Sequence, residues 1–246
     1  MSRRANGEHR CEKCRMHQSV CVCAMLPRIE TRTRLVLIIH RLEVRKTTNT
    51  GRLGTMCLPN SETVVRGHEA RVSAAHGESA ALPRETYAPE PTATWPEGSQ
   101  PLLLFPFDDA APITDYARSE RPITLFVPDG NWRQASKVRK RVPGLAGVPC
   151  VSLPAGEREP RRLRVESRDD GLATIEAIAR AFGVLEGRAV EDALLFVFRT
   201  MVERTLWTRG DIATDAVTGG IPEGAERHDP TGGIARREAR SRTGER

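Results

Sequence analysis

Residues 122–141 read PITLFVPDGNWRQASKVRKR, and this stretch decides the fold class. Its apolar start is continuous rather than alternating, which is typical of a strand covered by helices on both faces of a parallel sheet. A carboxylate, Asp129, ends the run, and a helical pattern with five cations follows. Similar apolar runs occupy residues 34–40, 101–107 and 148–154. The sequence therefore predicts an α/β fold with a mostly parallel sheet and helices on both faces.

Helical periodicity marks the last third of the chain. Ile175, Ile178 and Phe182 recur at spacings of three and four, with Thr174 as the predicted start and Gly187 as the predicted end of a helix. The apolar residues 190–209 predict a long closing helix. The polar tail beyond Trp207 has no aromatic residue, so we expect it to be disordered. The predicted units are an N-terminal segment (1–28), a main domain (29–208) and a disordered tail (209–246).

Length and charge limit the class of protein. The chain has 246 residues, enough for one α/β domain of ordinary size. A formal net charge of +6 and a pI of about 9.3 indicate a polyanionic partner. The sequence lacks the long apolar run of a membrane span and the apolar stretch of a signal peptide. We therefore expect a cytoplasmic protein, without a membrane partner, whose thiols are reduced.

Four of the six cysteines lie close together near the N-terminus, in the stretch CEKCRMHQSVCVC: Cys11, Cys14, Cys21 and Cys23. A C-x2-C pair brings two sulfurs to one ion, and the C-x-C pair can complete a tetrahedron. Zinc accepts four thiolates, and a closed four-sulfur site leaves no position for a substrate. The spacing predicts a structural zinc site. Free or redox-active thiols are the alternative, and His17 is an alternative fourth ligand.

Polar and basic residues follow the apolar run at 122–128. Asp129 is predicted at the carboxyl end of a parallel strand, where open α/β sheets place their sites. Trp132 is predicted to anchor the following helix through the face it shares with Ala135, Val138 and Val142, while the cations face outward. The alternative is structural: Asp129 caps the helix, Trp132 belongs to the core, and the cations are solvated.

A second basic stretch, GEREPRRLRVESR, holds five arginines and no aromatic residue that could stack on a base. Contact with phosphates is the predicted function, and a solvated loop is the alternative.

Five motifs occur together in an order that resembles a known family. They are C-x2-C-x6-C-x-C, LVLIIHRLEVRKTTNTGRL, LLLFPFDDA, TLFVPDGNWRQASKVRKRVPGL and LRVESRDDGLATIEAIARAFGVLEG. In order and spacing they are similar to the DTW-domain family, the tRNA-uridine aminocarboxypropyltransferases. The resemblance covers about residues 10–208. The family's Asp-x-Thr-Trp motif departs here at one position, Asn131.

The resemblance implies a SPOUT-like α/β domain that binds S-adenosylmethionine near a knotted C-terminal region. It also implies transfer of the 3-amino-3-carboxypropyl group to N3 of a tRNA uridine, with release of methylthioadenosine. Asp129 and Trp132 are the implied catalytic residues, with Asp129 as the proton acceptor and Glu43 and Glu176 as alternatives. An S-adenosylmethionine-dependent RNA methyltransferase and a non-catalytic, zinc-containing RNA-binding module are the two competing functions.

The resemblance also supplies site residues. Asn49 and Thr50 match the family's Asn-Thr pair, and Thr174 and Glu176 match its Thr-x-Glu-Ala turn. The predicted cofactor-binding residues are Asn49, Thr50, Asp129, Gly130, Thr174 and Glu176. The predicted tRNA-binding cations are Arg133, Lys137, Lys140, Arg141, Arg161, Arg162 and Arg164.

Overall fold

The computed structural model describes residues 9–67, 90–163 and 171–227. Within these ranges six strands form one sheet. They are β1 (Arg34–His40), β2 (Ser61–Arg66), β3 (Gln100–Leu104), β4 (Ala111–Pro112), β5 (Ile123–Asp129) and β6 (Cys150–Ser152).

The same described ranges hold six α-helices: α1 (Arg41–Val44), α2 (Gly51–Cys57), α3 (Trp132–Ala135), α4 (Val138–Arg141), α5 (Thr174–Glu186) and α6 (Arg188–Thr208). Short 3-10 turns occur at Gln18–Val20, Cys23–Met25, Ile113–Tyr116 and Thr214–Ala216. None of the described helices is both long enough and apolar enough to cross a membrane.

All strand pairs of the sheet are parallel, and their order is β2-β1-β5-β3-β6-β4. The register aligns Ile39 of β1 with Asp129 of β5, so these two strands end at the same level. The loops after β1, β5, β3 and β6 consequently meet along one edge of the sheet. The predicted α/β fold with a parallel sheet is confirmed, and its SPOUT-like character stays a prediction.

Helices cover both faces of the sheet. Leu35 and Leu37 of β1 face one core, which also contains Ile178 of α5. The alternate residue Val36 faces a second core, which contains Val138 of α4. Because both faces are buried, the central strands are continuous apolar runs in the sequence.

The elements follow the apolar runs with some differences in extent. The strand predicted at 34–40 matches β1, whereas β3 ends at Leu104, just before Phe105 and a proline that has no N–H for a strand ladder. The edge strand β2 is only partly buried, so it lacks the continuous apolar run that marks the other strands. The single basic helix predicted after Asp129 is two short helices, α3 and α4.

The prediction of a disordered tail from residue 209 is wrong for residues 209–227. Val217 is buried against the core, and the indole N–H of Trp207 donates to Thr214 Oγ1 at 3.0 Å. Arg204 Nε donates to the carbonyl of Gly220 at 2.9 Å. Side chains of helix α6 thus supply packing and hydrogen-bond partners for residues 209–227, which the composition of the tail does not reveal. Residues 228–246 lie outside the described residues.

Candidate functional site

A buried carboxylate, Asp129, lies at the carboxyl edge of the sheet as the last residue of β5. Its Oδ2 atom accepts a hydrogen bond from the Asn49 side-chain amide, and its Oδ1 atom accepts one from Thr174 Oγ1 at 2.7 Å. Asn49 precedes α2, and Thr174 begins α5. Three segments that are distant in the sequence are therefore joined by one carboxylate.

A glycine permits this close packing. A Cβ atom at Gly51 would lie 2.7 Å from Asp129 Oδ2, a distance that real Cβ contacts do not adopt. Helix α2 can therefore begin beside the carboxylate only with glycine at this position. The Thr50 hydroxyl accepts the backbone N–H of Ile175 at 3.4 Å and ties the start of α2 to α5. Gly51 directly follows the Asn-Thr pair but was not among the predicted site residues.

Burial raises the pKa of Asp129 above its ordinary value. The hydrogen bonds from Asn49 and Thr174 lower the pKa and offset only part of this effect. A carboxylate with a raised pKa accepts a proton more readily near neutral pH than an exposed aspartate does. The environment therefore suits Asp129 to proton transfer.

Asn131, the residue that departs from the family motif, is the N-cap of α3. Its Oδ1 accepts the backbone N–H of Gln134 at 2.9 Å, and the Gln134 side chain accepts the backbone N–H of Asn131 at 2.8 Å. Threonine and asparagine both cap helices well, so the departure preserves this structural task. A Cβ at Gly130 would lie 2.8 Å from Gln134 Oε1 and would disturb the same capping box.

Trp132, the predicted anchor of the helix, is half-buried. Ala135, Val138 and Val142 are buried, whereas Trp132 packs against Phe105 with ring centroids 4.7 Å apart. The indole also lines two cavities at the edge of the sheet. Trp132 is only half-buried because it lies at the first turn of α3, beyond the end of β5, where helices no longer cover the chain.

Trp132→Ala is therefore expected to lower the free energy of unfolding by about 2 kcal/mol, roughly half of the loss for a fully buried aromatic side chain. Urea denaturation measures it. Trp207, only 6% exposed, is the matched control, and Trp207→Ala is expected to cost about 3–5 kcal/mol. Equal losses for the two variants would contradict the half-buried placement.

Two adjoining cavities meet beside Asp129. The larger, about 550 Å³, is lined mainly by apolar residues that follow β3, β5 and β6. The smaller, about 260 Å³, contains Asp129 and is more polar. Four residues line both cavities: Gly130, Trp132, Leu172 and Thr174. The arrangement can hold two small groups side by side, one in each cavity.

The structure gathers most of the predicted cofactor-binding residues at this place. Five of them line the smaller cavity: Asn49, Thr50, Asp129, Gly130 and Thr174. Glu176 lines neither cavity, because its carboxylate accepts the backbone N–H groups of Ala173 and Glu159 and pairs with Arg162 at 3.0 Å. Glu43, the other alternative acceptor, lines the smaller cavity and lies 2.5 Å from Lys46.

The walls of the larger cavity were not predicted from the sequence. Phe105 and Leu172 line it, as does the loop 152–156 after β6. Apolar loop residues are common in any protein. The sequence signal that could have identified these cavity-lining residues is their position directly after the end of a predicted strand. Arg162 was predicted to contact RNA, yet its guanidinium lines the smaller cavity while paired with Glu176.

The predicted RNA-binding cations divide into two groups. Arg133, Lys140 and Arg141 are exposed on α3 and α4, and Lys137 between these helices is half-buried. Arg161 and Arg162 are both ion-paired, with Glu203 and Glu176 respectively. Arg164 lies outside the described residues. Among the described residues, the cations of the first group form no ion pair with a carboxylate, unlike Arg161 and Arg162.

The four clustered cysteines form a potential metal site. Their sulfur atoms all lie within 4.8 Å of one another. The Cys11–Cys23 and Cys14–Cys21 sulfur pairs are each 3.6 Å apart. A tetrahedral zinc ion with bonds of about 2.3 Å separates its sulfurs by about 3.8 Å, so the residues present fit such an ion.

The thiol environments oppose full ionisation of the cluster without a bound metal. Burial opposes ionisation of Cys11, but backbone hydrogen bonds from Cys14 and Lys13 lower the pKa of this thiol to about 6. Burial and the neighbouring thiols raise the pKa values of Cys14 and Cys23. Four thiolates so close together repel one another, and a bound cation would remove that repulsion.

The cysteine segment (residues 9–28) packs onto the main core. Cys14, Val20 and Val22 are buried in the core that also contains α5 and α6. Arg204 of α6 donates to the carbonyl of Cys21 at 2.7 Å and to Met25 Sδ at 2.9 Å. The segment is therefore built into the domain instead of forming a separate unit.

Comparisons with known proteins agree with this arrangement. A family model described as the DTW domain matches residues 8–206. The tRNA-uridine aminocarboxypropyltransferase 2 of Drosophila melanogaster is 28% identical over 185 residues, 74% of this chain and 69% of that protein. The protein of the same name from Macaca fascicularis is 25% identical over 75% of this chain and 59% of its own length.

The tRNA-uridine aminocarboxypropyltransferase A of Arabidopsis thaliana is 26% identical over 213 residues, 78% of this chain and 79% of that protein. No solved structure matches the chain significantly. The family match spans both the cysteine segment and the Asp129 cavities, so this chain belongs to the DTW-domain family.

Proposed function

We propose that this protein transfers the 3-amino-3-carboxypropyl group from S-adenosylmethionine to N3 of a uridine in tRNA, with release of methylthioadenosine. The names of the Drosophila, macaque and Arabidopsis relatives support a transferase that acts on tRNA uridine. This substrate agrees with the basic pI and with the cytoplasmic location, which stays a prediction.

The observation that carries the proposal is the junction of two cavities beside a buried carboxylate. A cavity of about 550 Å³ lies in the usual range for small-molecule sites, so we assign the donor to it. The smaller cavity, which contains Asp129, takes the uridine base. Because N3 lies on the pairing edge of uridine, the base is turned out of the RNA to enter. Gly130 and Thr174 then lie at the boundary between donor and acceptor.

The proposed reaction forms a bond between N3 and the γ-carbon of the methionine chain. The bond between that carbon and the sulfonium sulfur breaks, and methylthioadenosine leaves as a neutral thioether. Asp129 accepts the N3 proton, while Asn49 and Thr174 hold the carboxylate in place. Since three carbons are bonded to the sulfur, orientation between the two cavities selects the chain carbon over the methyl group.

We assign zinc to Cys11, Cys14, Cys21 and Cys23 with a structural role. Four thiolates close the coordination shell, so this ion has no position for a substrate. Bound zinc would hold the cysteine segment in its fold. The buried Cys14 and the contacts of Arg204 would then keep the segment on the core.

Incubation of the purified protein with S-adenosylmethionine and unmodified tRNA tests the function. Mass spectrometry of the nucleosides and of the small-molecule product identifies the reaction. Aminocarboxypropyl-uridine together with methylthioadenosine is the expected result. A methylated nucleoside with adenosylhomocysteine would instead identify a methyltransferase. Binding of tRNA without binding of S-adenosylmethionine or any product would identify an RNA-binding module.

The exposed cations of α3 and α4 are proposed to contact tRNA phosphates. Replacing both Lys137 and Lys140 by glutamate is expected to weaken tRNA binding and to reduce the salt slope by about two, since each lost phosphate contact lowers it by about one. Fluorescence anisotropy over a range of salt concentrations measures the slope. Arg118→Glu, at an exposed position on another loop, is the control. An unchanged slope in the double variant would place these lysines outside the interface.

A further inference from the structure

A third cavity, of about 50 Å³, lies between the cysteine segment and the end of α6. Three arginines line it, Arg10, Arg15 and Arg209, and no aspartate or glutamate does so among the described residues. The rest of the lining is mixed: it contains Thr47, Thr48, Thr205, Thr208 and His17 together with the apolar residues Met16, Val20 and Leu163. The cavity has room for a small group and is far too small for a nucleobase. Its three guanidinium groups suit a phosphate group, whereas the Thr205 and Thr208 hydroxyls already donate to carbonyls of α6.

The small cavity adjoins the cavity that contains Asp129. Thr48 and Leu163 line both of them. Thr48 also directly precedes Asn49, whose amide donates to Asp129. A phosphate in the small cavity would therefore lie next to a base bound beside Asp129. A nucleotide in RNA has the same arrangement, because its base is attached to the sugar-phosphate backbone.

The charges of the three arginines around this cavity are not neutralised by carboxylates of the described residues. In the described ranges, none of the three forms an ion pair with a carboxylate, whereas Arg161, Arg162 and Arg199 each do. The Nε atom of Arg209 is buried and has no hydrogen-bond partner. Three guanidinium groups around one cavity, with no carboxylate of the described residues paired to them, favour an anion in it.

The backbone at Arg15 gives an independent indication. Its φ angle is +64°, the left-handed region that favours glycine, and Arg15 is the one non-glycine residue with positive φ among those described. The turn that imposes this angle has Arg15 N–H donating to Cys11 O at 2.9 Å and Cys11 N–H donating to Met16 O at 2.8 Å. Glycine would adopt this angle without strain, so the backbone of the turn does not itself require an arginine.

We propose that Arg15, together with Arg10 and Arg209, binds an RNA backbone phosphate beside the target uridine. The cysteine segment then has a direct task in substrate binding, because the turn after its C-x2-C pair holds Arg15 in the wall of the small cavity that adjoins the Asp129 cavity. The identification of the polyanion as tRNA rests on the proposed function. The inference adds the site, the small cavity, and the group that it binds, a backbone phosphate.

Arg15→Gly separates the two roles of this residue. Because glycine relieves the left-handed strain, the variant is expected to keep one zinc per chain and to melt at the same temperature as the wild type or higher. The dissociation constant for tRNA is expected to rise about tenfold, and the salt slope to fall by about one. Elemental analysis, thermal melting and salt-dependent anisotropy with the full-length protein measure these quantities. Arg209→Gln, outside the turn, is expected to lower the salt slope similarly.

Arg118→Gln is the control, since this exposed residue lies on a different loop and is expected to keep wild-type tRNA binding. Wild-type affinity and slope in Arg15→Gly would overturn the phosphate site, and a lower melting temperature with unchanged affinity would identify Arg15 as a purely structural residue. Inorganic phosphate is a second probe: competition with tRNA in the wild type, absent in Arg15→Gly, supports the site. Transfer by the wild-type enzyme is measured separately, so failure of the phosphate site leaves the proposed reaction standing.

Discussion

Asp129→Asn is expected to reduce the rate of aminocarboxypropyl transfer by a factor of about 100 or more, the usual scale for a positioned acid–base group. The amide has nearly the same shape as the carboxylate, and its oxygen can still accept from Thr174. We therefore expect the fold and the affinity for tRNA to remain close to those of the wild type. Release of methylthioadenosine, measured alongside thermal melting, determines both effects.

The pH dependence of the rate provides a second test of Asp129. Burial raises its pKa, so the wild-type rate is expected to fall as the pH decreases through a pKa above the ordinary value of 3.8. The asparagine variant is expected to lack this transition. For stability the sign is opposite: the protonated form is favoured by burial, so the contribution is greatest at low pH and is lost as the pH rises through the raised pKa.

Asp109→Asn is the matched control, because Asp109 is an exposed aspartate paired with Arg139 away from the cavities. It is expected to leave the transfer rate near that of the wild type. Near wild-type turnover in Asp129→Asn would limit Asp129 to a structural role. The proton acceptor would then be sought at Glu43, which lines the same cavity, because Glu176 is already fully engaged.

Cys14→Ser is expected to have the largest effect on stability. Zinc content should fall from about one ion per chain to nearly none, because one of four thiolates is lost. Loss of a structural metal typically costs about 4 kcal/mol or more. For a chain of this size that cost corresponds to a fall in Tm of roughly 8–16 °C. Elemental analysis and thermal melting of the full-length protein measure both quantities.

Cys57→Ala distinguishes the metal from ordinary core packing. Cys57 is as deeply buried as Cys14 but lies in α2, outside the cluster. This variant is expected to keep its zinc and to lose only the packing of one sulfur atom. Full zinc content and an unchanged Tm in Cys14→Ser would contradict the assignment of the four cysteines.

Much of the fold could be predicted because both faces of the sheet are covered. Residues 34–40 form a continuous apolar run, and they form β1 as predicted. The edge strand β2 was missed because its side chains are partly exposed and its sequence is mixed. The tail was predicted to be disordered because composition does not reveal partners on another helix, such as Trp207 for Thr214.

The sequence by itself determined the chemistry that is available: a carboxylate after a buried strand, four cysteines at metal-binding spacing, and two basic segments that follow the carboxylate. Only the tertiary structure decided which groups meet. It joined Asn49, Asp129 and Thr174, turned Glu176 inward, and required glycine at residue 51. The physical reason is that local patterns report burial and periodicity, whereas contacts across 45 or 80 residues of sequence depend on how the packed elements meet.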